Sequence, residues 1–220
     1  MCIRDSPFSI NTGNPDNVIL DYCDGIGLVE SPESETGAFM TMKNMKDWMA
    51  QNMPNAELNL GEFGWNSTAG DNPLGEANQA AYVMRAFMLA MRNDIHRAFL
   101  YAFQDNEECP LYCSTSLYDE NGQPRNSLLA IEQLMDSDLS DKVFLNAVSE
   151  DSDPESGQYV YLFGDPDGTP THMVAWAPEV LPENGETYPP VSNECTTIQL
   201  PSTEMTVSAG TPYNLSLIHI

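Results

Sequence analysis

The stretch that most constrains the fold is residues 56–65, which read AELNLGEFGW. Leu58, Leu60 and Phe63 make it apolar enough for a buried strand, and Glu62 and Trp65 give it a polar and aromatic end. We therefore predict a buried strand with a carboxylate close to its carboxyl end.

Strand and helix patterns alternate on both sides of this stretch. Apolar residues recur at spacings of three and four where helices are predicted, and short apolar runs bounded by Gly, Pro or Asp mark the strands. The predicted elements are a strand at 18–29, a helix at 38–52, a helix at 76–93, a strand at 95–105 and a helix at 127–135. Residues 7–17, rich in Asn, Pro and Gly, predict a loop. This alternation is typical of a parallel sheet covered by helices, an α/β fold.

The pattern changes after Asp136, where short runs rich in Val, Tyr, Phe and Thr are separated by turn residues. The strand candidates are residues 143–148, 158–164, 171–177, 195–200 and 204–208. Their spacing predicts an antiparallel β-sandwich that begins near Ser140. We thus predict one domain over residues 7–139 and a second over residues 140–214.

The charge of the chain excludes several classes of partner. Lys and Arg together number 8 against 33 Asp and Glu, which gives a formal net charge of -25. Such a charge repels nucleic acid and anionic lipid surfaces. No apolar run approaches the roughly 20 residues that span a bilayer, so no membrane partner is expected. The composition leaves the oligomeric state open.

The two ends of the chain differ in character from the rest. Residues 1–6 (MCIRDS) and 215–220 (LSLIHI) resemble translations of a sequencing adapter. We expect neither hexapeptide to belong to the natural protein, which would then be truncated at both ends here.

Polar side chains follow each of the predicted parallel strands. Glu30 follows the first, Glu62 ends the second, and Gln104 and Asp105 end the third. The carboxyl ends of parallel strands share one edge, where loops open a cleft, so these groups are expected to converge. Taken singly, each is also compatible with a solvated loop residue.

Several motifs, in this order and spacing, resemble the last third of a clan A glycoside hydrolase. They are GEFGW at 61–65, NQAAY at 78–82 followed by Arg85, RAFLY at 97–101 and LYDENGQP at 117–124. Enzymes of that clan are retaining glycosidases on a (β/α)8 barrel. The resemblance covers residues 18–135 and implies barrel strands six to eight, and the remaining residues resemble the β-sandwich that often follows such barrels.

The resemblance implies a β-glycosidase that acts on a polysaccharide or oligosaccharide, with Glu62 as the catalytic nucleophile. The side chains expected to bind substrate are Trp65, Glu30, Tyr101, Phe103, Gln104 and Asp105. Trp65 either stacks on a sugar ring or packs the barrel rim. Retaining hydrolysis needs a second carboxyl group about 5–5.5 Å away, and the clan carries that acid/base Glu on strand four, upstream of this chain. The chain by itself is therefore expected to be inactive.

Three alternatives stay open. Glu30 could substitute for the acid/base residue. The strand ends at 28–30 and 103–105 depart from the His-Tyr and Trp residues usual in the clan, which suits a carbohydrate-binding protein that has lost catalysis. Thirdly, Glu62 could be a buried structural acid in an unrelated α/β enzyme.

No metal or cofactor is expected. Cys109 and Cys113 could form a small disulfide or part of a metal site, and the disulfide is favoured because no cluster of His residues supplies further ligands. Asn66 begins a glycosylation sequon that matters only in a eukaryotic source. The resemblance implies a secreted or periplasmic protein.

Overall fold

The computed structural model describes residues 8–14, 17–22, 35–68, 73–105, 114–150, 158–176, 206–207 and 216–219. Within these ranges, side chains are described from residue 42 to residue 176, with Glu62 excepted. The chain divides into two compact units, Met1–Leu128 and Leu129–Ile220. The two units are described separately below.

The first unit contains a four-stranded mixed sheet. Its strands are β1 (Phe8–Asn14), β2 (Asn17–Tyr22), β3 (Glu57–Phe63) and β4 (Arg97–Leu100), in the order β1-β2-β3-β4. Strands β2, β3 and β4 are parallel, which confirms the predicted parallel arrangement. The predicted strand at 18–29 coincides with β2 in its first part, and residues 24–29 lie outside the described residues.

The loop predicted for residues 7–17 was wrong, because Phe8–Asn14 forms strand β1, antiparallel to β2. Asn and Gly disfavour an extended strand in isolation. Here β2 supplies backbone partners along the segment, with Ile10 opposite Leu20. Pairing with a neighbouring strand overrides the local preference.

The three predicted helices of the sequence are present as α1 (Glu35–Asn52), α2 (Glu76–Arg92) and α3 (Asn126–Asp136). Met42 and Met49 of α1 are buried and lie two turns apart on one face. Helix α2 is buried around most of its circumference. Its Phe87 meets Phe63 of β3 edge to face, with 5.4 Å between ring centroids, so α2 covers the sheet at β3.

Strand β4 is shorter than the predicted strand at 95–105. Beyond Leu100 the chain stays next to β3 for one further bond, from Tyr101 N–H to the Phe63 carbonyl at 2.8 Å. Residues 102–105 then pair with a segment that returns to them at residues 117–118. The backbone N–H groups of Leu117 and Tyr118 donate to the carbonyls of Ala102 and Phe103, at 3.0 and 3.1 Å respectively. The predicted turn at 119–122 is present between that segment and α3.

The second unit contains a short 3-10 helix (Asp138–Asp141) and one antiparallel sheet. The strands are β5 (Val143–Glu150), β6 (Tyr159–Gly164), β7 (Pro170–Trp176), β8 (Thr206–Val207) and β9 (Ser216–His219), in the order β5-β6-β7-β9-β8. The predicted strands at 143–148, 158–164 and 171–177 are confirmed, and β8 lies within the one at 204–208. Residues 195–200 lie outside the described residues, and the second sheet of a sandwich stays a prediction.

Both faces of strands β6 and β7 are buried. Tyr159 stacks on Trp176 with 5.0 Å between ring centroids, and Tyr161 meets Trp176 edge to face on the same side. Val160 and Met173 pack on the opposite side. Strands β6 and β7 are therefore covered on both sides, with an aromatic layer on one of them.

Among the described strands, β5 lies at the edge of its sheet, and its pairing is irregular. Its register with β6 shifts twice, because Leu145 and Val148 are extra residues relative to the partner strand. In the turn from β6 to β7, Gly168 has a left-handed conformation at φ +91, and the Asp167 carboxylate accepts the Thr169 N–H at 2.9 Å. Two β-bulges thus interrupt the outer edge of this sheet.

Strand β9 lies within the hexapeptide 215–220 that resembles an adapter, and it pairs with β7. The pairing does not bear on the origin of that segment, which stays a prediction. Among the helices in the described part of the chain, none is long and apolar enough to cross a membrane.

Candidate functional site

The carboxyl ends of β2, β3 and β4 lie together at one edge of the first sheet. Glu62 is the penultimate residue of β3, and its register partner on β2 is Asp21. On the other side, Phe63 is the partner of Leu100 at the end of β4. The backbone of Glu62 is therefore where the sequence predicted it, on the central strand of three parallel ones. Asp21 was missed because residues 18–29 have the pattern of one continuous strand.

Strand β3 carries a β-bulge directly before Glu62. Leu20 pairs with Leu60, but the next residue of β2, Asp21, pairs with Glu62, so Gly61 is extra. The β3–β4 register shifts within the same span, between Leu60 and Phe63. A bulge bends the strand and changes which residues share a face on its two sides, and bulges are frequent beside active sites.

Gly64 holds the backbones after β3 and β4 in close contact. A Cβ at this position would lie 2.6 Å from the carbonyl oxygen of Tyr101. A side chain therefore does not fit unless the backbone moves. This close approach sets the spacing between the loop after Glu62 and the start of the 101–105 segment.

That segment presents exposed aromatic rings. Tyr101 is 45% exposed and Phe103 is 70% exposed. The Phe103 ring pairs with that of Tyr118, with 5.1 Å between centroids and 48° between planes. Gln104 forms an isolated bridge with Tyr118 and is also exposed. Of the predicted binding residues, Tyr101, Phe103 and Gln104 are thus accessible to a ligand.

Tyr118 was not among the predicted binding residues. Its place in the LYDENGQP motif was the available signal, but the pairing of that motif with residues 102–105 is a long-range contact that no local pattern reveals.

Trp65 is buried rather than exposed. Only 3% of it is accessible, and its ring contacts Phe63 and Tyr82, with centroid distances of 6.0 and 5.8 Å. Gln79 of α2 donates a 2.8 Å hydrogen bond to the Trp65 carbonyl. These contacts favour the packing alternative for Trp65 over stacking on a sugar ring.

Asp105 lies in a buried ion network. Its side chain is 2% exposed, and one carboxylate oxygen accepts a 2.5 Å hydrogen bond from Arg125. The other oxygen accepts from the Ser116 hydroxyl. Arg125 also donates to Glu76 at the start of α2. The structure therefore does not place the Asp105 carboxylate with the exposed aromatic rings, although the sequence grouped them.

The network continues into the loop after β3. Arg125 donates a 3.0 Å hydrogen bond to the Ser67 hydroxyl, and that hydroxyl donates a 2.9 Å hydrogen bond to Glu76. The Ser114 hydroxyl accepts the backbone N–H groups of Ser67 and Thr68, each at 2.9 Å. Loops that are distant in sequence are thereby fixed to one another and to the start of α2.

Arg125 is the centre of this network. Burial of the guanidinium lowers its pKa, but the hydrogen bond to Asp105 and the charges of Glu76 and Asp105 outweigh burial, and the pKa is raised above its usual value. Arg125 therefore stays charged and held by its partners. Local sequence patterns do not reveal it, because its partners are far along the chain.

The remaining predicted site residues are either buried or outside the described residues. Asn66 is 1% exposed, which disfavours glycosylation of the folded chain at its sequon. Glu30, Cys109 and Cys113 lie outside the described residues. Within the described residues, no group of His, Cys, Asp and Glu could hold a metal ion.

Comparison with known proteins relates this fold to glycoside hydrolases. No family model matches the chain, and no curated protein matches its sequence. Among solved structures, it is similar to a family 39 glycoside hydrolase from the gut symbiont Bacteroides cellulosilyticus WH2, at a TM-score of 0.54 and 19% identity. The match covers 83% of this chain and 37% of that one. A β-glucuronidase of Ruminococcus gnavus also matches, at a TM-score of 0.42 and 18% identity, over 56% of this chain and 22% of that one. The mixed α/β fold is thus similar to that of a glycoside hydrolase.

Proposed function

We propose that this chain is the C-terminal part of a retaining β-glycoside hydrolase that acts on a polysaccharide or oligosaccharide, with Glu62 as the nucleophile. Strands β2, β3 and β4 would be strands six to eight of a (β/α)8 barrel. In the complete barrel, strand five would take the edge of β2 that β1 occupies here. The observation that carries the proposal is the position of Glu62, at the carboxyl end of the central parallel strand in a glycosidase-like fold.

The chemistry requires a carboxylate that attacks the anomeric carbon and a second carboxyl group that protonates the departing oxygen. Glu62 takes the first role. The second belongs to a Glu on strand four, upstream of this chain, which later removes a proton from the attacking water. The bulge at Gly61 and the close backbone approach at Gly64 fix the strand end that carries Glu62.

The exposed segment after β4 is assigned to substrate binding. Tyr101 and Phe103 would present rings to the apolar face of a sugar, with Gln104 as a hydrogen-bond partner for its hydroxyl groups. Phe99, 55% exposed on the same strand, would lie deeper and fill the barrel interior. Asp105 supports this segment through Arg125.

The test uses the protein extended upstream to complete the barrel. Glu62→Gln is expected to lower kcat by at least about 10³-fold, because the covalent step is lost. Glu57→Gln is the matched control, since Glu57 begins the same strand and forms an exposed pair with Arg97. A 2-deoxy-2-fluoro glycoside should label the peptide that contains Glu62. Turnover retained by Glu62→Gln, or a label on another residue, contradicts the proposal.

A carbohydrate-binding protein without catalysis is the second candidate. The pairing of Tyr118 with the exposed ring of Phe103 favours it, because sugar stacking needs no nucleophile. The gene upstream of this chain discriminates the two: an Asn-Glu pair at the end of strand four supports the hydrolase, and another residue in place of that Glu supports the binding protein.

Steady turnover by residues 1–220 alone would contradict the expectation that this chain is inactive.

A further inference from the structure

The positive charges of the first unit are distributed unevenly over its two ends. Arg97 begins β4 and pairs with Glu57, which begins β3, so this pair lies at the amino end of the parallel strands. Arg92 ends α2, the helix that leads into β4, and it has an interaction within the chain. Lys46 pairs at 2.7 Å with Asp94, which follows α2. Each of these cations either lies at the amino end of the parallel strands, opposite to Glu62, or pairs with a residue there.

The other cations of the described part of this unit are also engaged. Lys43 pairs with Asp47 within α1 at 2.6 Å. Arg85 is 2% exposed and lies over the Tyr82 ring at 5.7 Å. Arg125 is the described cation next to the segment after β4, and two carboxylates hold it with its side chain 7% exposed. Among the described residues, the carboxyl end of the sheet thus presents no uncompensated positive charge.

Two acidic residues of the sheet have their backbones at that same end. Asp21 and Glu62 are register partners on neighbouring strands. Arg125 with Asp105 and Glu76 carries a net single negative charge, from one cation and two anions. The whole chain carries a formal charge of -25. An anionic ligand that approaches Phe103 and Tyr118 meets repulsion from the site and from the protein as a whole.

We propose that this site takes uncharged sugar rings, stacked on the pair of Phe103 and Tyr118, and rejects uronic acid and sulfated sugars. The inference rests on the proposed function and names its substrate class. Aromatic rings bind the apolar face of a sugar without any cation. A uronate or sulfate group loses water on binding, and an Arg or Lys partner is the strongest compensation for that loss.

The test measures binding of two oligosaccharides of equal length to the chain of residues 1–220 by saturation-transfer NMR. One is neutral and the other carries a uronate on each ring. At low salt the neutral one is expected to bind at least about tenfold more tightly, which corresponds to one like-charge contact at partial solvent exposure. Raising the salt from about 0.01 to about 1 M, where the screening length falls from about 30 to about 3 Å, should narrow the difference.

Variants locate the binding surface. Phe103→Ala and Tyr118→Ala are each expected to weaken neutral binding about tenfold or more. Trp48→Ala is the matched control, because Trp48 is 44% exposed on α1, a different element, and its removal should leave binding unchanged. Loss of binding in the control alone overturns the assignment of the surface.

The outcomes separate this inference from the proposed function. Tighter binding of the neutral sugar, with a difference that salt reduces, supports both. Equal or tighter binding of the uronate, or a preference that salt leaves unchanged, overturns the inference and leaves a carbohydrate site. Binding of neither sugar overturns the inference, whereas the proposed function is tested separately by the turnover of Glu62→Gln in the protein extended upstream.

Discussion

Replacing Arg125 by Met tests whether its ion network determines the stability of the first unit. The substitution keeps an unbranched apolar side chain, which is shorter than that of Arg, and removes its charge. It leaves Asp105, with a side chain 2% exposed, and Glu76, 30% exposed, without their shared cation. Asp105 keeps the Ser116 hydroxyl as a donor, which does not neutralise it.

The expected magnitude follows from this burial. Removing one partner of a buried ion pair costs about 3–5 kcal/mol, because the remaining charge is still withdrawn from water. Arg97→Met is the matched control. Its pair with Glu57 is 3.4 Å long, with side chains 60% and 45% exposed, so its loss should cost at most about 1 kcal/mol.

The assay is urea unfolding followed by circular dichroism and fluorescence, for the parent chain and both variants. A further variant, Arg125→Met combined with Asp105→Asn, should recover at least about 1 kcal/mol, because the uncompensated charge is removed as well. Equal losses for Arg125→Met and Arg97→Met would refute the reasoning, as would a double variant less stable than Arg125→Met.

Three further predictions concern two close backbone approaches and the turn of the second unit. Gly64→Ala should cost about 1–3 kcal/mol, since its Cβ would lie 2.6 Å from the Tyr101 oxygen; a thermal melt equal to that of the parent contradicts this. Gly164→Ala should lower the melting temperature more than Gly168→Ala, because a Cβ at position 164 would collide with the Thr169 oxygen. A Cβ at position 168 meets nothing within 4 Å, so Gly168→Ala costs only backbone strain of about 1 kcal/mol. Hydrogen bonds from Thr169, the backbone N–H first, lower the pKa of Asp167 below 3.8. The stabilisation it contributes is therefore present well above the unfolded pKa of 3.8 and is lost as the pH falls through the lowered pKa. Asp167→Ala should thus melt below the parent at about pH 6, and the difference in melting temperature should shrink as the pH is lowered.

The sequence predicted those elements whose signals are local. Local patterns predict three elements: the Met spacing predicts α1, the apolar residues predict α2, and the apolar run at Leu58–Phe63 predicts β3. All three elements form where they were expected. The position of Glu62 followed from the last of these runs.

The features that could not be predicted from the sequence depend on residues far apart in the chain. Strand β1 forms because β2 lies beside it, against the local preference of its Asn and Gly residues. The Phe103 and Tyr118 pair depends on a returning segment. Trp65 and Asp105 were grouped with the exposed residues because both follow strands, and only their packing with Tyr82 and Arg125 shows them buried. Periodicity carries no information about such contacts.

The two bulges of β5 have a consequence for the behaviour of the second unit in concentrated solution. An outermost strand with evenly spaced N–H and C=O groups is a template on which another chain can add and start a fibril. Leu145 and Val148 are extra residues in β5 and interrupt its regular spacing. The hydrogen-bond donors and acceptors of a straight incoming strand would therefore fail to match those of β5 after a few residues. Deleting both extra residues would straighten that border, and such a protein should seed fibrils sooner, despite a net charge that keeps molecules apart.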